Sequence, residues 1–260
     1  MIIKGLPFIS PGFSFYPFAS DKRHQKLIIL DIGACTGEDA IRYGIKFPKA
    51  IIYAFEPLPK NIAVFKDHLS VYPNLNIKIV NTALSNYDGK AFFHVSGGNP
   101  TLNEKKDFTT LFPKDWNKSS SLLAPTPLLF SSFPWLKFNE QISVQVKKLA
   151  TYLKEQKIPK VHFIHIDVQG AELLVFEGME KYLGKVDLIW IEVSNSELYY
   201  GQPLSDEIDT FLKSYGFFCL KSNLDFNISG DSLYLNQKLH FKFKLKTFLT
   251  NIFKKPWLKK

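Results

Sequence analysis

The strongest constraint on this chain is a rhythm beginning at Leu27, in which short apolar runs alternate with segments of helical spacing. Residues 27–32 are apolar apart from Asp31 and lead into Gly33, the pattern of a buried strand entering a glycine turn. Similar runs recur at 50–55, 77–80, 161–167 and 187–193. Between them, Ile41 and Ile45 are spaced to pack inward behind a cap at Thr36, and Ile62, Phe65 and Leu69 do so after Pro57 and Pro59. A turn is expected at 81–85, further helices at 148–156, from Glu172 and at 206–214, and short strands at 91–95, 217–221 and 232–236. Runs that are apolar throughout belong to strands covered on both faces. The expected fold is α/β, a mostly parallel sheet with helices on both sides and its ligand at the carboxyl ends of the strands.

One domain over 27–237 accounts for this rhythm, flanked by an arm over 1–26 and a tail over 238–260. Two cysteines, Cys35 and Cys219, lie far apart in no metal-ligand spacing, which excludes a disulfide scaffold or zinc finger and fits a reducing, cytoplasmic setting. No apolar run approaches the roughly 18 residues of a spanning helix. Pro7, Pro11 and Pro17 interrupt the N-terminus and make it a poor secretory signal.

The net charge of +9 is local: eight of the 33 basic residues lie in 238–260 with no acid, leaving 25 bases against 24 acids. A nearly neutral body argues against a broad nucleic-acid surface. Over 239–246 the tail alternates apolar and basic residues, as an edge strand would. A helical arc of Phe241, Leu245, Phe248, Leu249 and Ile252 would instead make it a peripheral anchor on anionic membrane, with Trp257 at the headgroups. Packing on the body with solvated lysines is the plainer reading of the same residues.

The sharpest motif is Asp31-Ile32-Gly33-Ala34-Cys35-Thr36-Gly37 at the end of the first strand. Glycines there let backbone approach a ligand, and Asp31 can accept a hydrogen bond from a cationic amino group. The dinucleotide fingerprint needs glycine where Cys35 stands, so a nucleoside with an amino-acid tail fits better than a pyrophosphate. A tight turn alone would also use these glycines. Glu56 ends the second strand, where an acid can accept both ribose hydroxyls. Asp167, Glu172 and Glu192 bring three carboxylates to the same edge, able to orient a hydroxyl, act as a base or bind a hard cation. Glu172 is equally explained as a first-turn acid favoured by the helix dipole. His165 reads as a core histidine satisfied by backbone. Residues 97–141 break the rhythm with glycines, prolines, a Ser119-Ser120-Ser121 run and aromatics including Trp116, Phe130, Phe133 and Trp135. A structureless insertion of that length is usually functional.

The segments DIGACTGEDA, YAFEP, NTALSNYDGKAFFHVS, SSSL, FIHIDVQGAELLVFEG and WIEVSNSELYYGQPLSDEIDTFLKSYGF, in that order over 27–237, resemble the FkbM family of S-adenosylmethionine-dependent methyltransferases. The resemblance implies a Rossmann-like class I methyltransferase fold, a seven-stranded sheet whose last strand is antiparallel, and methylation of hydroxyls, often on sugars or polyketide-type products. It implies that Asp31, Gly33, Ala34 and Gly37 line the methionine part of the cofactor, Glu56 its ribose and Ala83 its adenine, with Asp167 below the sulfonium. His165 departs from the lysine common there.

Together these readings lead to S-adenosylmethionine-dependent O-methylation of a sugar, glycan or small natural product. Asp167 and Glu192 would position or deprotonate the acceptor hydroxyl, directly or through a divalent metal, a choice the sequence leaves open. The insertion, with Tyr199, Tyr200 and Gln202, would form the acceptor pocket. A nicotinamide-dependent oxidoreductase and a non-catalytic scaffold of the same fold stand as alternatives, disfavoured by Cys35 and by the Asp31–Glu56 pair of acids respectively.

Overall fold

The computed structural model describes residues 26–99, 117–224 and 228–238. The arm, much of the insertion with Trp116, and the tail beyond Lys238 with its strand, helix and membrane readings lie outside them. The described chain runs β1 (Ile28–Ile32), α1 (Glu38–Lys46), β2 (Ile51–Phe55), α2 (Pro59–Ser70), β3 (Ile77–Val80), β4 (Ala83–Leu84), β5 (Gly89–Gly98), α3 (Pro127–Ser132), β6 (Leu136–Lys147), α4 (Leu149–Glu155), β7 (Val161–Ile166), α5 (Glu172–Glu177), β8 (Val186–Ser194), α6 (Ser205–Ser214), β9 (Phe217–Ser222) and β10 (Ser229–Asn236).

Seven strands form the main sheet in the order β3-β2-β1-β7-β8-β10-β9. Neighbours from β3 to β8 are parallel, whereas β10 is antiparallel to both β8 and β9. This is the expected seven-stranded, mostly parallel sheet whose last strand runs antiparallel. The period-two alternation of side chains divides the core: Leu30, Ile32, Ile164, Ile166, Ile189 and Ile191 pack under α4, α5 and α6. Ile29, Phe163, Leu188 and Trp190 face the other way, against α1 and Phe65 of α2. Chain direction reverses its march across the sheet between β1 and β7, and such a switch point leaves a crevice at the carboxyl ends.

Several local expectations are corrected. Gly37, not Thr36, is the N-cap of α1, in left-handed backbone at φ 85°. Ile45 is exposed, because the inward face of α1 is Ala40, Ile41, Tyr43 and Gly44. Ala83 lies in a short strand rather than a turn, in a second sheet of order β4-β6-β5. The described part of 97–141 is not structureless: it holds α3 and the first residues of β6, which pair with β5 from Gly98↔Leu136 onward.

Candidate active site

The loop after β1 is shaped first by the protein itself. Gly33 and Gly37 have φ of 84° and 85°. A Cβ on Gly33 would lie 1.8 Å from the Asp167 carbonyl oxygen, and one on Gly37 would lie 2.1 Å from the Phe65 ring. Both glycines are therefore demanded by close packing, besides any approach of a ligand. Cys35 takes φ 48° without being glycine and directs its N–H to Glu56 Oε2 at 2.9 Å. Burial pushes its thiol up to about 12, so it holds its proton.

Glu56 leaves β2 buried, its Oε1 accepting from Leu58 N–H at 2.8 Å. Burial raises its pKa to about 7 against the hydrogen bonds of Leu58, Cys35 and Asn61. Asp31 is also buried and stands opposite His165 in the β1–β7 register, with Oδ1 3.2 Å from Nδ1. Burial opposes charge on His165, but the adjoining Asp31 carboxylate, with the charges of Asp39 and Asp167, holds its pKa at about 9. The partner of His165 is thus a carboxylate, not the backbone expected from sequence. The contact is an ion pair rather than a well-formed hydrogen bond, since Asp31 Oδ2 and His165 Nδ1 are both buried without a hydrogen-bond partner.

Two recesses meet at the sheet edge. The first, a cleft of about 530 Å³ counting its solvent-open mouth, is lined by Gly33, Glu56, Asn61, Ala83 and Asp167 with apolar walls at Phe55, Leu84 and Phe93. Asp31, Ala34 and Gly37 do not line it. The second, open to solvent and about 1180 Å³, is bounded by Phe133, Trp135, Tyr199, Gln202, Glu172 and Glu192. Lys118, Asp167 and Gln169 border both. Tyr200 borders neither and is exposed.

At the junction, Gln169 Nε2 donates to Asp167 Oδ1 at 2.6 Å and to Glu192 Oε2 at 2.7 Å. Its backbone is left-handed at φ 55°, and its own carbonyl accepts from Ser121 Oγ at 2.7 Å. The Tyr199 hydroxyl donates to the Ser119 carbonyl at 2.7 Å and lies 3.1 Å from Gln169 Oε1. Burial, then the charges of Asp167, Glu172 and Asp231, raises the pKa of Glu192 well above the ordinary carboxylate value. Glu172 does more than complement a helix dipole: its Oε1 accepts from Val168 and Gly170 N–H at 3.3 and 3.1 Å, fixing the turn that presents Gln169.

Sequence reasoning missed Gln169, Asn61, Asn117 and Lys118. The Ser119-Ser120-Ser121 run was the available signal for the last two. It anchors this strip, where Asn117 donates to Asn61 Oδ1 and Lys118 Nζ reaches Glu38 Oε1 at 3.5 Å. Among the described residues, no three His, Cys, Asp or Glu side chains are gathered so as to hold a metal ion.

A cleft lined by a buried acid, a glycine of the loop after β1 and the apolar residues Phe55, Leu84 and Phe93 fits a nucleoside. The family model for the methyltransferase FkbM domain matches residues 31–219. The chain is 32% identical over 233 residues to the 2-O-methyltransferase NoeI of Sinorhizobium fredii, covering 86% of this chain and 88% of that protein. It is 25% identical over 203 residues to the methyltransferase sdnD of Sordaria araneosa, covering 73% of each. The solved structure of magnesium protoporphyrin IX methyltransferase from Synechocystis PCC 6803 superposes over 86% of this chain and 77% of that one, at 10% identity and a TM-score of 0.44. The chain belongs to the FkbM family of S-adenosylmethionine-dependent methyltransferases.

Proposed function

We propose that this enzyme methylates a hydroxyl of a sugar or glycan. The observation that carries this reading is a recess lined by both Trp135 and Phe133 and by the Asp167–Gln169–Glu192 group, sharing Asp167 and Gln169 with the cleft that suits the cofactor. An aromatic wall suits the C–H face of a sugar ring, and carboxyls suit its hydroxyls. The relation to a 2-O-methyltransferase points the same way.

Bound S-adenosylmethionine would supply an electrophilic methyl group. In this reading Glu56 holds the ribose, Ala83 with Phe55 and Leu84 borders the adenine, and the loop of Gly33, Ala34 and Gly37 above Asp31 receives the methionine tail. Asp167 stands where the recesses join, so it accepts the acceptor proton as the oxygen attacks. Glu192 orients the hydroxyl through a hydrogen bond. Gln169 keeps the two acids in register, and Trp135 and Phe133 exclude water from the approach. EDTA treatment followed by magnesium or calcium distinguishes this direct route from metal assistance.

The deciding experiment transfers labelled methyl groups from S-adenosylmethionine to neutral glycosides. Alkali-stable label recovered as an O-methyl sugar is expected; label released by mild alkali, as from a methyl ester, or found on nitrogen would overturn the reading. For localisation, no helix among the described residues is long and apolar enough to cross a membrane. Peripheral contact of a cytoplasmic enzyme with anionic membrane through 238–260 is part of the proposal. It predicts salt-sensitive co-sedimentation with anionic liposomes that truncation after Gln237 abolishes.

A further inference from the structure

We infer that the acceptor recess selects by charge: it admits a neutral sugar ring and turns away rings carrying a carboxylate, phosphate or sulfate beside the reacting hydroxyl. This rests on the sugar-hydroxyl reading above.

The inference comes from what lines the recess and what balances it. Among its described lining residues the ionisable acids are Asp167, Glu172 and Glu192, and the single cation is Lys118. That ammonium is drawn towards Glu38, at 3.5 Å on α1, and so is already offset on the cofactor side. Behind Glu192, Asp231 stands opposite it in the β8–β10 register and adds a further acid. The crowding shows in Glu192, whose pKa is raised by burial and by the charges of Asp167, Glu172 and Asp231 together. An anionic group entering here would lose its water, meet Asp167, and find no uncommitted cation among the described residues. A neutral hydroxyl has two compatible partners in Asp167 and Glu192, since it can donate to a carboxyl oxygen and carries no charge to repel either acid. Phe133 and Trp135, in the same lining, offer apolar surface but no charge. Discrimination of this kind comes from a penalty on the wrong acceptor as much as from contacts to the right one.

The test is ligand-observed saturation-transfer NMR on the full chain with saturating S-adenosylhomocysteine. The probes are methyl glucoside and methyl galactoside, their uronic acid counterparts, and the neutral aromatic alcohol 3-phenylpropanol. At least one neutral glycoside should bind, its uronoside should bind about ten-fold or more weakly, as like charges meeting at a desolvated contact require, and Trp135→Ala should abolish binding. Asp167→Asn should narrow the gap between the two sugars. If uronosides bind as well as neutral glycosides, selection by charge is wrong while the sugar reading stands. If only the aromatic alcohol binds, or no probe binds, the sugar reading fails and the inference with it.

Discussion

Asp31 and His165 face each other across β1 and β7 directly beneath the glycine loop, Oδ1 3.2 Å from Nδ1. Because His165 is raised from 6.5 to about 9 by this neighbour, the folded protein binds a proton that the unfolded chain releases over that range. The stabilisation is fully present below 6.5 and is lost as pH rises through about 9. Unfolding free energy from urea titrations should therefore fall between these limits, and His165→Asn should remove that component. An unchanged slope in the variant would show that the pair is not ionised in the folded state.

Glu56 gives a second pH dependence, of opposite sign and in binding. Its pKa is raised from 4.5 to about 7, so the acid is partly neutral near pH 7 and a better acceptor above it. S-adenosylhomocysteine affinity should rise with pH through about 7 in the wild type and stay flat in Glu56→Gln. Glu56→Ala should weaken binding by about 1.5–3 kcal/mol, the scale of hydrogen bonds to a charged group. Calorimetry checks both, with circular dichroism to show that the Cys35 and Leu58 amides it releases have not unfolded the loop.

The strands were legible because each buried run is apolar from end to end, and Gly33 and Glu56 because they end such runs. The second sheet was not, since β5 and β6 are half-exposed and pair across an insertion. The inward face of α1 was misread for a different reason: Gly44 packs against Leu75, 3.0 Å from where a Cβ would stand, a contact that hydrophobic spacing does not register. Gln169 has no spacing signature at all. An amide between two acids becomes visible only when β7 and β8 bring Asp167 and Glu192 together.

That amide bridge yields a third prediction. Gln169→Leu should leave the two carboxyls without their common donor, lowering turnover by about ten- to hundred-fold, the scale on which misplacing a reacting group by about 1 Å acts. S-adenosylhomocysteine affinity should change little, and the pH–rate profile should shift. A profile identical to the wild type with lowered turnover would reduce Gln169 to a packing role.

The glycines separate packing from ligand approach. Gly33→Ala forces a methyl into the Asp167 carbonyl and adopts a strained φ, so it should destabilise the fold by about 3 kcal/mol or more. Cys35→Gly removes the left-handed strain at φ 48° and should stay within about 1 kcal/mol of the wild type. Thermal unfolding compares them; equal effects would mean that the loop relaxes freely.

Finally, the two acids at the junction are not equivalent. Burial and its acidic neighbours favour the protonated form of Glu192, and Glu192→Gln puts a neutral amide of nearly the same shape in its place. Asp167 lies on both recesses, and Asp167→Asn removes the group placed to take the acceptor proton. Turnover should fall by about 10²–10⁴-fold in Asp167→Asn, the range of general-base catalysis, and far less in Glu192→Gln. The measurement is kcat for both variants beside their S-adenosylhomocysteine affinities. Equal losses in kcat would mean that the acids share one proton and act as a unit, so that removing either disables the pair. Loss of cofactor binding in both would instead make them cofactor ligands and move the base elsewhere.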